Sequence, residues 1–431
     1  MISQELRTIF SAAPTPAMLL LADAPMPPML LADAPTCSFA QTASQCNGLA
    51  NDTVALQRAL DDCVLTATGV ELRAGANCTV GPLRLPGNSH LFLASGARLQ
   101  ALDRTFWPSS SPVSPPLLLA QHTSNITIMG EGTIDGRGEQ WWPRPAWLPI
   151  SDRRRPIVLN LDTVDDVRLE SFRIVNPARF AIAIGGGGHR YSISRLTVRA
   201  PDFETAPNTD GIDIAAYDVH VDGVDIANGD DSLCIKSPAG RVLIENSVVS
   251  GGNGLVVGTS DVVNIENITF RNITAHDTTF GCHIKFKGLE QSGHVRNVTF
   301  QDIAIYQSAA ATWRRVTHFD HRGYAIGVHQ NDQGIEQRPR QGRRRLSEER
   351  GRGSGVHIDG ITFRRIQADV LYGGEFICNG GPLACTGLHF EHVHLNASRA
   401  GCVFKNAVGT NDEVEPASCR VPKAATVSRT R

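Results

Sequence analysis

Apolar side chains recur in this chain with a period of two, in short runs broken by polar corners. Segments of the form Val-x-Ile-x-x-Ile-x-Phe occupy residues 167–174, 191–198, 219–226, 242–249, 263–270, 356–363 and 388–395. Through the middle of the chain they start at Val167, Tyr191, Val219, Val242 and Val263, a nearly even succession. Strict alternation of β-branched and aromatic residues describes half-buried strands, and a recurrence within about 20–50 residues describes stacked supersecondary units. Asn246, Asn267, Asn272, Asn297, Gly223 and Gly360 fall between the apolar pairs, where a strand must bend. The three-and-four spacing of helical repeats is missing. The pattern therefore predicts an all-β solenoid, a single-stranded parallel β-helix of about ten coils, each burying one row of side chains against the next.

Composition is consistent with such a core, since 40 Gly and 24 Pro accompany only 6% aromatic residues in 431. Length alone suggests several domains, but a solenoid grows in one dimension, so one domain is expected over 37–422. A formal net charge of −2 argues against bulk nucleic-acid binding. No segment is long enough to span a membrane. Residues 1–36 hold a near-duplication, Met-Leu-Leu-Leu-Ala-Asp-Ala-Pro at 18–25 and Met-Leu-Leu-Ala-Asp-Ala-Pro at 29–35. Glu5, Asp23 and Pro25 make it at best a poor secretory signal, and we read it as an unstructured extension. Residues 332–354 carry Arg338, Arg340, Arg343, Arg344, Arg345, Arg350 and Arg352, a charge run that reads as a disordered loop between coils. Residues 423–431 read as a tail.

The ten cysteines are an even number that allows five bridges and suggests an oxidising compartment. We expect Cys378 with Cys385, Cys402 with Cys419, and Cys63 with Cys78. Asn77-Cys78-Thr79 and Asn125-Ile126-Thr127 are weak glycosylation signals, because strands of this composition generate Asn-x-Thr by chance.

Candidate chemistry lies near the middle of the chain. Asp210 alternates with the inward Ile212 and Ile214, Asp231 with Leu233 and Ile235, and Asn253 with Leu255 and Val257. The steps from position 210 to 231 and from 231 to 253 are almost equal. The three should therefore form a column at the start of consecutive strands, rising about 4.8 Å per step. Asp230 is out of phase and should approach from another angle. His283 and Lys285 flank Ile284 on its outward side, giving the groove a cationic edge. Any one of these Asp residues could be a mere turn former; the set in phase suits two-carboxylate glycoside hydrolysis. Single histidines such as His189 and His329 read as surface or corner residues, and no metal-ligand spacing is evident.

Asn208-Thr209-Asp210, Gly229-Asp230-Asp231, Gly252-Asn253-Gly254 and His283-Ile284-Lys285 follow the order and spacing of the four motifs of polygalacturonases, glycoside hydrolase family 28, which this chain resembles. The likeness runs from Asn51-Asp52-Thr53, through residues 130–136, to the C-terminal cysteines. It implies a right-handed parallel β-helix and a secreted, extracellular, monomeric enzyme of pectic polysaccharide, without cofactor or nucleic-acid partner. It also implies roles: Asp230 as general acid, Asp210 and Asp231 activating water, Asn253 beside them, and Asn208, His283 and Lys285 on the substrate. An inverting hydrolase needs room for that water, with carboxyl groups about 6.5–9.5 Å apart, and repulsion among three acids should raise one pKa, giving an acidic pH optimum.

The sequence departs from the family at Asn253, where the family has His, at His283, where it has Arg, and at Ser232, where many members have Cys. Neutral Asn does not titrate, and a histidine lacks the planar five-donor fork that grips a carboxylate, which leaves Lys285 as the point charge for it. These changes leave room for another pectic polymer, such as rhamnogalacturonan, or for a weakened enzyme that only binds pectin. Retained binding without release of reducing ends would mark the latter. A calcium-dependent lyase on the same fold would instead give unsaturated products and fail with chelator.

Overall fold

Runs of alternating apolar residues form strands, and the residues between them bend the chain into coils. The computed structural model describes residues 36–37, 45–66, 68–108, 113–142, 154–258, 262–286, 291–308, 323–330, 355–379 and 384–424. Among these residues every strand pairing is parallel and joins neighbouring coils, as in Val167–Tyr191, Tyr191–Val219 and Val219–Val242. The fold is a right-handed parallel β-helix. One inward column runs Val70, Leu91, Ile128, Leu169, Ile193, Val221, Ile244, Phe270, Phe300, Phe363 and Phe390 in unbroken register. No member is more than 2% exposed. Each such burial contributes roughly 1.5–3 kcal/mol, so the core is a line of similar terms rather than one central cluster.

The C-terminal half fills its column with rings. Phe270 stacks on Phe300 at 4.9 Å and Phe300 on Phe363 at 5.4 Å, with interplanar angles of 4° and 5°. Those separations are close to the rise between strands, so ring stacking and backbone pairing reinforce one register.

The corners are made as the sequence suggests. Asn246, Asn267, Asn272 and Asn297 all have φ between 52° and 57°, a left-handed conformation that Asn tolerates. Their amides form ladders between coils: Asn272 donates to Asn246 at 2.7 Å and Asn297 to Asn267 at 2.6 Å.

Two repeat assignments are corrected. Val242 pairs with Ile268, not Val263, and Leu388 with Ile361, not Val356; Val263 and Val356 are in line with each other through Gly293. The cause is visible in the strand Val262–His276, whose inward positions 263/265, 268/270 and 273/275 recur at a constant short interval around one coil. A match slipped by one such interval therefore looks as good as the true one.

The sole α-helix among the described residues, Thr53–Leu65, buries Leu56, Leu60 and Cys63. Asp52 precedes it and accepts backbone N–H bonds from Cys46 and Thr79, both at 3.0 Å. Three bridges are Cys46–Cys78, Cys378–Cys385 and Cys402–Cys419. The expected Cys63–Cys78 pair is thus replaced: parallel pairing of Asn47 with Asn77 sets Cys46 beside Cys78, while Cys63 is disulfide-bonded elsewhere. Cys234 and Cys282 are free and buried, so five bridges do not form.

Residues 1–35 lie outside the described residues, as do the arginine-rich run at 332–354 and residues 425–431. Thr36 and Cys37 already pair with Gly69 and Val70. Among the described residues no helix is long and apolar enough to cross a membrane.

Because Phe300 stacks on both neighbours, Phe300→Ala should cost about 3–5 kcal/mol, read from urea denaturation. A loss below about 1 kcal/mol would mean that neighbouring coils collapse into the gap.

Candidate active site

Two consecutive coils set the acids side by side, and the next coil adds Asn253. Ile212 pairs with Leu233 and Leu233 with Leu255, and two positions before them stand Asp210, Asp231 and Asn253. The ladder continues to this level, with Gly211 N–H donating to the Asp231 carbonyl at 2.8 Å. Asp230 comes from the turn before the strand. One oxygen from each of Asp210, Asp230 and Asp231 lies within 4.8 Å of the others.

The turn is locked from beneath by Asn228, which is 2% exposed. Its amide donates to the carbonyls of Thr209, Asp230 and Asp231 at 2.9–3.0 Å, and its Oδ1 accepts from Ser232 at 2.8 Å. Gly252 closes over this turn with φ +37°; a Cβ there would meet the Asp230 carbonyl at 2.1 Å. Asn253 donates through Nδ2 to Asp230 Oδ1 at 2.8 Å and Asp231 Oδ1 at 2.9 Å, so one amide clamps both carboxylates. Asn208 donates to Asp230 Oδ2 from its backbone N–H at 3.2 Å and from Nδ2 at 3.3 Å. The buried Arg155 in turn donates to Asn208 Oδ1 at 3.1 Å.

The charges are unevenly compensated. Burial alone would push the Asp231 carboxyl up. Lys285, whose ammonium is 2.7 Å away, together with Lys236 and the Asn253 amide, outweighs burial and holds it below the usual carboxylate range. Asp210 goes the other way: burial, then the neighbouring Asp213 and Asp230, push it well above that range, and Lys236 only partly opposes them. Asp213 is pushed up to about 6, chiefly by burial, against the pull of Lys236 at 2.9 Å. Among the three motif carboxylates, Asp210 and Asp231 are buried and Asp230 is partly exposed.

Lys285, expected on the substrate, is a buried partner of Asp231. His283 is also buried, stacked on Phe280 with centroids 4.0 Å apart. His283 Nε2 lies 2.8 Å from His329 Nδ1, and His329 Nε2 lies 3.1 Å from Glu375 Oε2. His329, expected at a surface or corner, is fully buried in this chain of contacts. It stands in the same outward column as Lys285, a placement that only the inter-coil register reveals. His189 is partly exposed, stacked on Tyr217 and paired with Asp218. Sequence reasoning also passed over Asn228, Asp213 and Lys236; the last has the outward phase of Lys285 two coils on, which was available as a signal. Close carboxylates can bind a divalent cation, but here two ammonium groups supply the counter-charge, and we assign no metal to them.

Clustered acids fixed over the coils of a β-helix are the layout of an enzyme that cleaves carbohydrate. Residues 72–312 match the model of Glycosyl hydrolases family 28. An endo-polygalacturonase of Pectobacterium parmentieri is 26% identical over 306 residues, 63% of this chain and 75% of that protein. The polygalacturonase of Erwinia carotovora ssp. carotovora shares the fold, with TM-score 0.66 at 21% identity over 83% of this chain and 93% of that one. An endo-xylogalacturonan hydrolase of Aspergillus tubingensis shares it too, with TM-score 0.68 at 18% identity over 88% and 96%. The chain belongs to glycosyl hydrolases family 28. It is a polygalacturonase-like glycoside hydrolase.

Lys285→Met removes the ammonium bound to the buried Asp231 carboxylate, leaving only the weaker pull of Lys236, and should cost about 3–5 kcal/mol near neutral pH. The native carboxyl is held low, so its stabilisation is present above the unfolded value and is lost as pH falls through the folded one. The gap between wild type and variant in denaturant titrations should narrow below about pH 4. A gap independent of pH would assign the loss to packing.

Proposed function

We propose that the chain hydrolyses α-1,4-galacturonosidic linkages of pectic polysaccharide, with Asp230 as general acid and Asp210 and Asp231 holding the attacking water. The observation that carries this reading is the close grouping of three carboxylates, one of them held ionised by Lys285. Two oxygens no more than 4.8 Å apart can each bond one water at about 2.8 Å. Asp210 Oδ1 is buried without a hydrogen-bond partner among the described residues, and suits that water. Asp230, the partly exposed member, is the one that can meet a glycosidic oxygen.

The separation is shorter than the roughly 6.5–9.5 Å expected between carboxyl groups of an inverting enzyme, so spacing alone does not support inversion. Here the water would be gripped by two acids at once rather than parked between distant ones. Inversion follows from attack on the face opposite the leaving group, and the anomer released from polygalacturonate, followed by proton NMR, tests it.

Burial and neighbouring anions leave Asp210 the group most ready to hold a proton in the free enzyme, which favours a second reading with Asp210 as the acid. In so tight a cluster the titration steps belong to the set, and the proton it retains is delivered by the carboxyl that reaches the substrate.

Asp230→Asn should lower hydrolysis of polygalacturonate by about 10²–10⁴-fold and spare an aryl galacturonide whose leaving group needs no proton. The same pattern at Asp210→Asn, with Asp230→Asn inactive on both substrates, would move the acid to Asp210. Undiminished turnover in either variant would remove that residue from the mechanism.

A further inference from the structure

Two lysines share one outward column over the site. Ile235 pairs with Val257 and Gly258 with Lys285, so Lys236, Gly258 and Lys285 occupy the same position on three successive coils. Gly258 brings no side chain between them, and a Cβ there would lie 1.8 Å from the Lys285 carbonyl. Each ammonium serves a different flank of the acid cluster. Lys285 is bound to Asp231. Lys236 Nζ is 2.9 Å from Asp213 Oδ2 and 3.7 Å from Asp210 Oδ2, and 5.2 Å from the centroid of the Phe180 ring.

Asp213 lies on the strand Ile212–Ile214, just after Asp210 in the chain, and is 4% exposed. It is too deep to be a solvated surface charge, and it is the partner that seats Lys236. Asp210 and Asp213 each keep a buried Oδ1 that has no hydrogen bond among the described residues, which leaves Lys236 as the group that holds both carboxylates. What faces Asp210 is Asp213, Asp230 and Asp231 on the anionic side and Lys236 on the cationic side; what faces Asp213 is Lys236, Asp210, Asp230 and Asp231.

We propose that Lys236, seated on Asp213, is a positioning residue for hydrolysis: the pair Lys236–Asp213 orients Asp210 and decides whether it stands as a carboxylate when the water is bound. This rests on the reading of Asp210 as a water-holding base. A cation at 3.7 Å favours a neighbouring carboxylate and an anion disfavours it, so the two members of the pair act on Asp210 with opposite sign. Neither touches the substrate in this scheme. Asp213 supplies the anchor that keeps Lys236 from swinging fully onto Asp210, and Lys236 supplies the charge that Asp210 would otherwise lack.

The test is the pH dependence of kcat/KM on polygalacturonate for wild type, Lys236→Met and Asp213→Asn, with folding checked by circular dichroism. A base must be ionised to work. Removing the ammonium should therefore move the acid limb to higher pH by about 1 unit, and removing the Asp213 charge should move it to lower pH. Opposite movements support the proposal, because loss of packing alone would lower the rate without shifting the limb in two directions. Limbs that stay in place, or that move the same way in both variants, overturn it. Should Lys236→Met not fold, Asp213→Asn decides: a downward shift supports the proposal, and no shift or an upward one overturns it. Opposite movements confined to the alkaline limb would keep the pair's influence on Asp210 while overturning the base reading, since that limb reports a group that works protonated.

Discussion

Backbone pairing between coils is the constraint from which the rest follows. Parallel hydrogen bonds hold each strand about 4.8 Å from the next, and side chains at one register position must then stack on their own kind. Inward, this produces a column from Val70 to Phe390. At the turns it produces asparagine ladders such as Asn246–Asn272. Just before the strands it brings Asp210, Asp231 and Asn253 together, although a full circuit of chain separates each from the next. The same rule that builds the core therefore builds the site, and no separate folding event is needed to bring the acids together.

Such stacking is unkind to like charges, and the protein answers locally. Burial raises the cost of ionising Asp210, Asp213 and Asp231. Lys285 offsets that cost at Asp231, and the amide of Asn253 spans Asp230 and Asp231 without adding charge. Lys236 stands between Asp210 and Asp213 and cannot satisfy both. The result is a graded set: one carboxylate held firmly ionised, one pushed the other way, one at the rim. That gradient, rather than mere acidity, is what proton transfer and water activation require of a pair of carboxyl groups.

Much of this was legible in the chain because strands report themselves by alternation and corners by Asn and Gly. The acid motifs were readable for a related reason, since their steps are those of the ladder. The shift at Val263 was not, because inward pairs recur so evenly within a coil that a corner looks like a new turn of the helix. Cys63 was mispaired because proximity in the chain says nothing about which rung lies alongside; Asn47 and Asn77 do. Lys236 and His329 were overlooked because each becomes meaningful only through neighbours on other coils. The outward phase of Lys285 was readable, but its contact with Asp231 was not, because that contact crosses between coils.

Coil length itself carries a further meaning. The circuits from Ile212 to Leu233 and from Leu233 to Leu255 are short and nearly equal. Those from Cys282 to Ile326 and from Ile326 to Gly374 take roughly twice as much chain to climb the same single rung. The circuits that carry Asp210, Asp231 and Asn253 are the short ones. A circuit can thus take up extra chain without altering the single-rung step that spaces the acids.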